Sequence, residues 1–422
     1  MTSKPTNYEI TFLRHGESVG NADGYFQGQH DFVLTDQGRK QADLLAHRWQ
    51  KEGAKFDLVI SSPLARAKET AEIISEKLGV KLEYDPIWME RDNGILAGVH
   101  RDDAPQVHHR PDFIPLYQPI GKTGESEWEL YLRAGHALQT LMHHPPGRYL
   151  VVSHGGLMNK VYLTIMGLKP QADFRGSGFS FANTGFGQFT FDSINNNWHV
   201  LKINDHCHLG NFPPRDFPYR FTLLRHGESV GNLEHRFQGQ AEYPLTETGR
   251  QQAEILAQRW LDEEIEFERI LSSPLARAKQ TAEIIGSKLN LEIETDPLLK
   301  EVNNGRLAGL THVEQIEQGI ERADQAHMFL PIGETGESWW GLHLRAGRVV
   351  QNLMNRPPGH YLVVSHGGML NYILFNVLGI NVQAHDHIPW FRFGNTAFSV
   401  LESMPERDYW RVERTSDNTH LD

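Results

Sequence analysis

The chain has 422 residues, too many for one ordinary hydrophobic core and suited to two domains of about 200. Its apolar share of 39% and charged share of 22% are those of a globular protein in water, and no run of 18 apolar residues reads as a membrane span. A formal net charge of −12 argues against a general nucleic-acid or anionic-membrane surface, and leaves room for a small basic pocket that would bind a phosphorylated metabolite.

The opening Met1-Thr2-Ser3-Lys4-Pro5 has no apolar core of a signal peptide, so none is expected. Ile10-Thr11-Phe12-Leu13 is a short apolar run that stops at Arg14-His15-Gly16, which predicts a buried strand leading into a loop. Thr35-Asp36-Gln37-Gly38 starts a helix with Leu44, Leu45, Arg48 and Trp49 at helical spacing. Asp57 to Ile60 is a second buried strand, closed by Ser61-Ser62-Pro63. The following helix carries Ala67, Ala71, Ile74 and Leu78 on one face. Ser126 and Glu129 have the spacing of a capping box at a further helix start. Leu150-Val151-Val152 is a third buried strand, ending at Ser153-His154-Gly155-Gly156 before a helix from about Leu157.

Next comes His206 to Pro218, with three prolines and no periodicity, which reads as a linker. Beyond it the chain repeats itself. Arg14 to Asn21 recurs letter for letter as Arg225 to Asn232, and Tyr149 to Gly156 recurs as Tyr361 to Gly368. Ser61 to Ile74 recurs as Ser272 to Ile285, differing only at Glu69 against Gln280. The offset is 211 at first and 212 later, far too long for a solenoid. The expected organisation is one domain over residues 1–206, a linker over 207–216 and a second domain over 217–422. Strand–loop–helix units of this kind predict an α/β fold: two tandem three-layer α/β/α sandwiches, each around a mostly parallel central sheet. Two like domains in one chain also suggest an intramolecular pseudo-dimer. The single cysteine, Cys207, rules out an internal disulfide, and a reducing cytoplasm is the expected location.

Ligands of such sheets sit at the carboxyl ends of strands. There, each copy holds a histidine after one strand, a second histidine after another, two arginines and a glutamate. They are His15, His154, Arg14, Arg66 and Glu90, and then His226, His366, Arg225, Arg277 and Glu301. A lone histidine at a strand end is most often a loop or core residue, and duplication copies structural residues too. Arginine, however, presents a permanently charged fork to oxyanions, a neutral imidazole can attack phosphorus, and a carboxyl can hand a proton to a departing alkoxide. The N–H groups of Gly16 and Gly155 are further candidate oxyanion donors. His206-Cys207-His208, His108-His109 and His143-His144 lack the spacing of a structural zinc set and read as linker, loop and helix-end residues. No metal or cofactor is expected.

Leu13 to Ser18, Phe26-Gln27-Gly28, Leu34-Thr35, Ser61 to Ala67, Glu90 and Ser153-His154-Gly155, each with its counterpart, resemble the histidine phosphatase superfamily in its phosphoglycerate mutase-like branch. The resemblance spans nearly all of each half. It implies that His15 and His226 are nucleophiles that become phosphohistidines. Arg14, Arg66 and His154, with Arg225, Arg277 and His366, would clamp the phosphoryl oxygens, and Glu90 and Glu301 would donate the proton. Asn21 and Asn232 match the asparagine that usually reaches the phosphate, and Gln27 and Gln238 lie where the family often contacts it. The Gly-x-Trp-Glu-Gly that often follows the glutamate is replaced by Gly94 to Gly98 and Gly305 to Gly309, without the Trp or second Glu. Tyr25 stands where the second copy has Arg236, so the two pocket rims differ in charge. Arg133 and Arg345 are expected to be structural ion-pair partners. Mutases of this family close a lengthy insert with basic residues over the substrate. Here the stretch Asp102 to Asp112 has Arg110 but no adjacent pair of basics, and Glu314 to Asp324 is acidic with Arg322 alone. The expected activity is therefore hydrolysis of small phosphomonoesters at a site in each domain. A mutase-type phosphotransferase, and a tandem protein with one dead binding domain, are the rival readings; neither copy has lost a nucleophile or an arginine.

Overall fold

The computed structural model describes residues 7–109, 111, 113–210, 217–321, 327–382 and 388–421. The chain forms two compact units, Met1–Phe212 and Pro213–Asp422. The principal elements of the first are β1 (Asn7–Arg14), α1 (Asp36–Glu52), β2 (Leu58–Ser61), α2 (Ala65–Leu78), β3 (Leu82–Tyr84), α3 (Glu127–Met142), β4 (Arg148–Ser153), α4 (Gly155–Ile165), β5 (Phe186–Asp192) and β6 (Asn197–Asp205). The second repeats them as β7 (Tyr219–Arg225), α5 (Glu247–Asp262), β8 (Arg269–Ser272), α6 (Ala276–Leu289), β9 (Ile293–Thr295), α7 (Trp339–Met354), β10 (Gly359–Ser365), α8 (Gly367–Leu378), β11 (Phe398–Met404) and β12 (Tyr409–Asp417).

Within domain 1 the strands lie in the order β3-β2-β4-β1-β5-β6. The first four are parallel, and β5 runs against both β1 and β6. Domain 2 has the matching order β9-β8-β10-β7-β11-β12 with the same directions. The apolar runs at β1, β2 and β4 are continuous because helices cover both faces of a parallel sheet. Successive residues serve opposite layers. Leu13, Val59, Leu150 and Val152 pack with Leu45, Trp49, Ala67, Ala71 and Ile74 of α1 and α2. Phe12 turns the other way, onto Trp88, Tyr162 of α4 and Phe189. In domain 2, Leu224, Ile270, Leu362 and Val364 pack with Leu256, Trp260, Ala278 and Ile285.

Local signals set the helix ends. Thr35 caps α1 by accepting the Gly38 N–H, and Gly53 ends it in the left-handed conformation that glycine adopts without strain. Ser126 and Glu129 form the expected capping box on α3. Leu44 differs from expectation: it is 49% exposed, because at 100° per residue it rotates off the stripe that Leu45 and Trp49 bury.

The first residues of the segment read as a linker pack on domain 1. Cys207–Leu209 is a 3₁₀ turn whose His208 Nε2 lies 2.8 Å from Thr184 Oγ1 in domain 1. Residues 211–216, Arg110, Asp112 and 322–326 lie outside the described residues. The cap loops differ between copies. Tyr25–Phe26 pairs with Val99–His100 and a helix covers Ala104–Val107 in the first; Arg236 bridges Thr311 and a helix covers His312–Glu317 in the second.

Candidate active site

Register brings the signature residues together. Arg14 pairs with Ser153 across β1 and β4, and Ser61 pairs with Val152 across β2 and β4. The three loops that follow therefore leave the sheet side by side, and the His15 N–H donates to the Ser153 carbonyl at 3.1 Å. The His15 and His154 rings are 5.1 Å apart, centroid to centroid, and those of His226 and His366 are 5.2 Å apart. All four histidines are buried.

His15 Nδ1 lies 2.7 Å from the Gly16 carbonyl oxygen, and His226 Nδ1 lies 2.7 Å from that of Gly227. A carbonyl only accepts, so Nδ1 carries the proton and Nε2 keeps its lone pair. In domain 2 that Nε2 accepts from Arg277 Nε at 3.3 Å. Burial, with Arg66 and Arg14 close by, holds His15 well below the usual histidine range, and burial, Arg277 and Arg225 do the same for His226. Both imidazoles are neutral at pH 7. His154 and His366 are held down by the same causes, burial first. Their Nε2 atoms lie 2.8 Å from Ser62 Oγ and Ser273 Oγ, and their buried Nδ1 atoms have no hydrogen-bond partner.

The arginines are anchored by backbone carbonyls. Arg66, in the first turn of α2, donates to Gly28 O at 2.7 Å and His30 O at 3.0 Å; Arg277 donates to Gly239 O at 2.7 Å and Ala241 O at 3.0 Å. Arg14 and Arg225 donate to Phe181 O and Phe393 O at 2.6 and 2.5 Å. Burial lowers Arg66 and Arg277 to about 10, which leaves both charged at neutral pH. Each pocket thus presents cations and neutral imidazoles, a setting for a dianionic phosphoryl group.

Glu90 and Glu301 stand at the N-termini of α4 and α8. Glu90 accepts from the N–H groups of Gly156 at 3.1 Å, Leu157 at 3.1 Å and Arg91 at 2.8 Å. Glu301 accepts from Gly368 at 3.0 Å, Met369 at 3.1 Å and Val302 at 2.9 Å. Gly156 is required by this contact: a Cβ there would lie 2.4 Å from Glu90 Oε1. Arg133 grips the backbone carbonyls of Ile87, Met89 and Glu90 and the Glu125 carboxylate, and Arg345 repeats this around Glu301. Both arginines fix the glutamate's backbone, so the loop stays in place without the absent Trp and second Glu.

Asn21 caps a one-turn helix with Ser18, and its Oδ1 also accepts from Asn183 Nδ2 at 3.2 Å. Gln27 Oε1 accepts from Ser18 Oγ at 2.7 Å; Gln238 and Ser229 repeat the contact at 2.8 Å. The Gly16 N–H is not an oxyanion donor, for it donates to Thr70 Oγ1 at 3.0 Å, as the Gly227 N–H does to Thr281 Oγ1 at 3.1 Å. Gly16 is needed for packing instead: a Cβ would meet the Gly38 carbonyl oxygen at 2.5 Å.

Sequence reasoning missed a support behind His15. Asn183 Nδ2 donates to the His15 carbonyl at 3.1 Å, and the Thr184 N–H reaches the Arg14 and His15 carbonyls. Thr184 Oγ1 donates to Asn183 O at 2.8 Å and so accepts from His208 Nε2. Asn395, Thr396 and His420 repeat the set. The signal was present: Asn183-Thr184 and His208-Leu209 recur as Asn395-Thr396 and His420-Leu421 at the later offset.

Fold and site together define an α/β protein with a buried, electropositive histidine–arginine pocket built twice. The sequence profile of the histidine phosphatase superfamily (branch 1) matches residues 10–206 and 221–418, and the chain belongs to that family with two copies of its domain. A probable phosphoglycerate mutase GpmB of Photorhabdus laumondii is 35% identical over 207 residues, covering 47% of this chain and 94% of the relative. A probable phosphoglycerate mutase GpmB of Yersinia pestis is 34% identical over 208 residues, covering 47% and 94%. Among solved structures, a mycobacterial glucosyl-3-phosphoglycerate phosphatase with VO3 is 26% identical over 47% of this chain and 98% of its own, at a TM-score of 0.42. No helix among the described residues is long and apolar enough to cross a membrane.

Proposed function

We propose that each domain hydrolyses small phosphomonoesters through a phosphohistidine. The carrying observation is the bond from Nδ1 of His15 and His226 to the next residue's carbonyl, which aims a lone pair on a neutral ring into the pocket. In the first step Nε2 attacks phosphorus and the ester P–O bond breaks. Arg14, Arg66 and His154 take up the charge on the equatorial oxygens, as Arg225, Arg277 and His366 do in domain 2. With its oxygen already engaged, Asn21 offers its amide N–H to the same group. Glu90 or Glu301 protonates the departing alkoxide, then accepts a proton from the water that hydrolyses the phosphohistidine. The arginines supply the positive charge that a metal would.

Hydrolysis rather than transfer is supported by the cap. Between Glu90 and the start of α3 the described residues offer one short α-helix, Ala104–Val107, and between Glu301 and the start of α7 another, His312–Glu317. A mutase must keep water from its phosphohistidine, and a short cap suits admission of water better. The mutase names of the relatives favour the second reading, in which the phosphoryl group passes to another hydroxyl. The test is to trap the intermediate by acid and base quench after exposure to a labelled phosphomonoester. Phosphate on His15 and His226, stable to base and released to water, supports the proposal. Label on serine, or transfer to a second alcohol with no free phosphate, overturns it.

A further inference from the structure

On the leaving-group side of the pocket the two domains are built from different chemistry. Arg91 directly follows Glu90, and its guanidinium forms an ion pair with Glu127 of α3. Lys160 of α4 pairs with the other oxygen of the same carboxylate. Gly156, which donates to Glu90, and Lys160 lie four residues apart on α4 and so share a face. The cluster therefore starts within one helical turn of the carboxylate that meets the leaving oxygen.

Its charges do not balance. Glu127 and Lys160 are buried, and Arg91 is 15% exposed at its side chain. Two cations share one carboxylate, which leaves one positive charge in excess. The Arg91 Nε is buried without a hydrogen-bond partner, while its guanidinium stands 5.5 Å over the Phe174 ring. Excess charge and an unpartnered donor are costly in a buried place unless an anion completes them.

The same three positions in domain 2 are Val302, Trp339 and Tyr372. All are buried, and the Trp339 and Tyr372 rings stack at 5.8 Å with 6° between their planes. One domain thus places a net cation beside its glutamate, the other an aromatic wall.

We propose that the two sites divide substrates by the charge of the leaving alcohol. Domain 1 takes phosphomonoesters whose alcohol carries a carboxylate or similar anion near the ester oxygen. Domain 2 takes esters whose alcohol is uncharged, apolar or aromatic. This rests on the phosphatase reading above.

The full-length His226→Ala protein reports domain 1, and His15→Ala reports domain 2. Each is assayed for kcat/KM on 3-phosphoglycerate and on benzyl phosphate. The ratio of the two values should be at least about tenfold higher for domain 1 than for domain 2, and should shrink as salt rises. In the His226→Ala background, Arg91→Val with Glu127→Trp and Lys160→Tyr installs a set that already packs in domain 2, and should bring the ratio down to that of domain 2. Lys160→Met alone, a smaller change, should move it the same way, by KM more than by kcat. Equal ratios in the two domains, or a ratio unmoved in both folded variants, overturn the proposal. If phosphohistidine forms but no phosphate is released, the hydrolase reading fails instead. The rates of phosphohistidine formation from the two esters then carry the same comparison, with the same outcomes for the charge division.

Discussion

Asn183 Nδ2 donates to the backbone carbonyl of His15 at 3.1 Å and, from the same nitrogen, to Asn21 Oδ1 at 3.2 Å. One amide thus ties the backbone of His15, the proposed nucleophile, to Asn21, the asparagine proposed to contact the phosphoryl group. Asn183→Ala should leave the imidazole present but loosely aimed. Misplacement by about 1 Å can cost about 10²-fold. The expected outcome, in the His226→Ala background, is a fall in kcat of about 10- to 100-fold with KM changed far less. A fall carried by KM alone would mean that Asn183 serves binding rather than aim. Asn395→Ala in the His15→Ala background should repeat the result.

Gly156→Ala should act through Glu90. The new methyl would meet Glu90 Oε1 at 2.4 Å, and either the carboxylate or the helix start must move. For alkyl phosphates the loss should approach that of Glu90→Gln, about 10²–10⁴-fold, the usual scale of general acid catalysis. An aryl phosphate with an acidic phenol barely needs the proton and should lose much less. Gly155→Ala is the control, because its Cβ would find nothing nearer than 3.9 Å. Equal losses for both esters in Gly156→Ala would show that Glu90 is not the acid.

The strands and the pocket were legible because both rest on local pattern. Continuous apolar runs marked β1, β2 and β4, and the charged residues that ended them named the pocket. Leu44 was misjudged because a stripe of four candidates does not say which residue lies at its edge. The N–H of Gly16 was misassigned because its partner, Thr70, is 54 residues away, and only tertiary packing brings the hydroxyl beneath it. The contact of His208 was not legible because three prolines follow it closely and its partner Thr184 lies on the far side of a β-hairpin. The Arg91–Glu127–Lys160 cluster was invisible for a related reason. Its members come from three separate elements, and each alone reads as an ordinary surface charge.

Chelators should leave turnover unchanged, and oxyanions should inhibit it. The arginines that would meet the phosphoryl charge are fixed by carbonyls in both pockets. Vanadate, which can take up the geometry of the transferring phosphoryl group, should compete with substrate. Arg66→Lys should weaken that inhibition, because an ammonium cannot reproduce the planar fork or bond both Gly28 O and His30 O in the same geometry. Loss of activity with EDTA, restored by magnesium, would contradict the clamp. So would vanadate inhibition that Arg66→Lys leaves unchanged in the His226→Ala background.

Stability should fall on mild acidification, and the histidines set the window. His15, His154, His226 and His366 are all held well below 6.5, with burial the largest cause. Burial also holds His208 and His420 down to about 4, and His360 down to about 3. An unfolded histidine takes up its proton as pH drops through about 6.5, while these folded ones do not. The unfolded state therefore binds more protons, and stability declines as pH falls below that value. The aspartates whose pKa is depressed by ion pairs, Asp205 with Arg48 and Lys202, and Asp417 with Arg259 and Arg414, act later. Their contribution stays in place until pH falls below the ordinary carboxylate range near 3.8. Between pH 7.5 and 5.0 the loss thus belongs to the histidines. Thermal midpoints should drop steadily across that interval, and His154→Gln with His366→Gln should flatten the slope. The neutral nucleophile should meanwhile keep its lone pair, so activity per folded molecule should not collapse near pH 6. A midpoint that rises from pH 7.5 to 5.0, or an activity that titrates away with an apparent pKa near 6.5, would show that these imidazoles take up protons in the folded state.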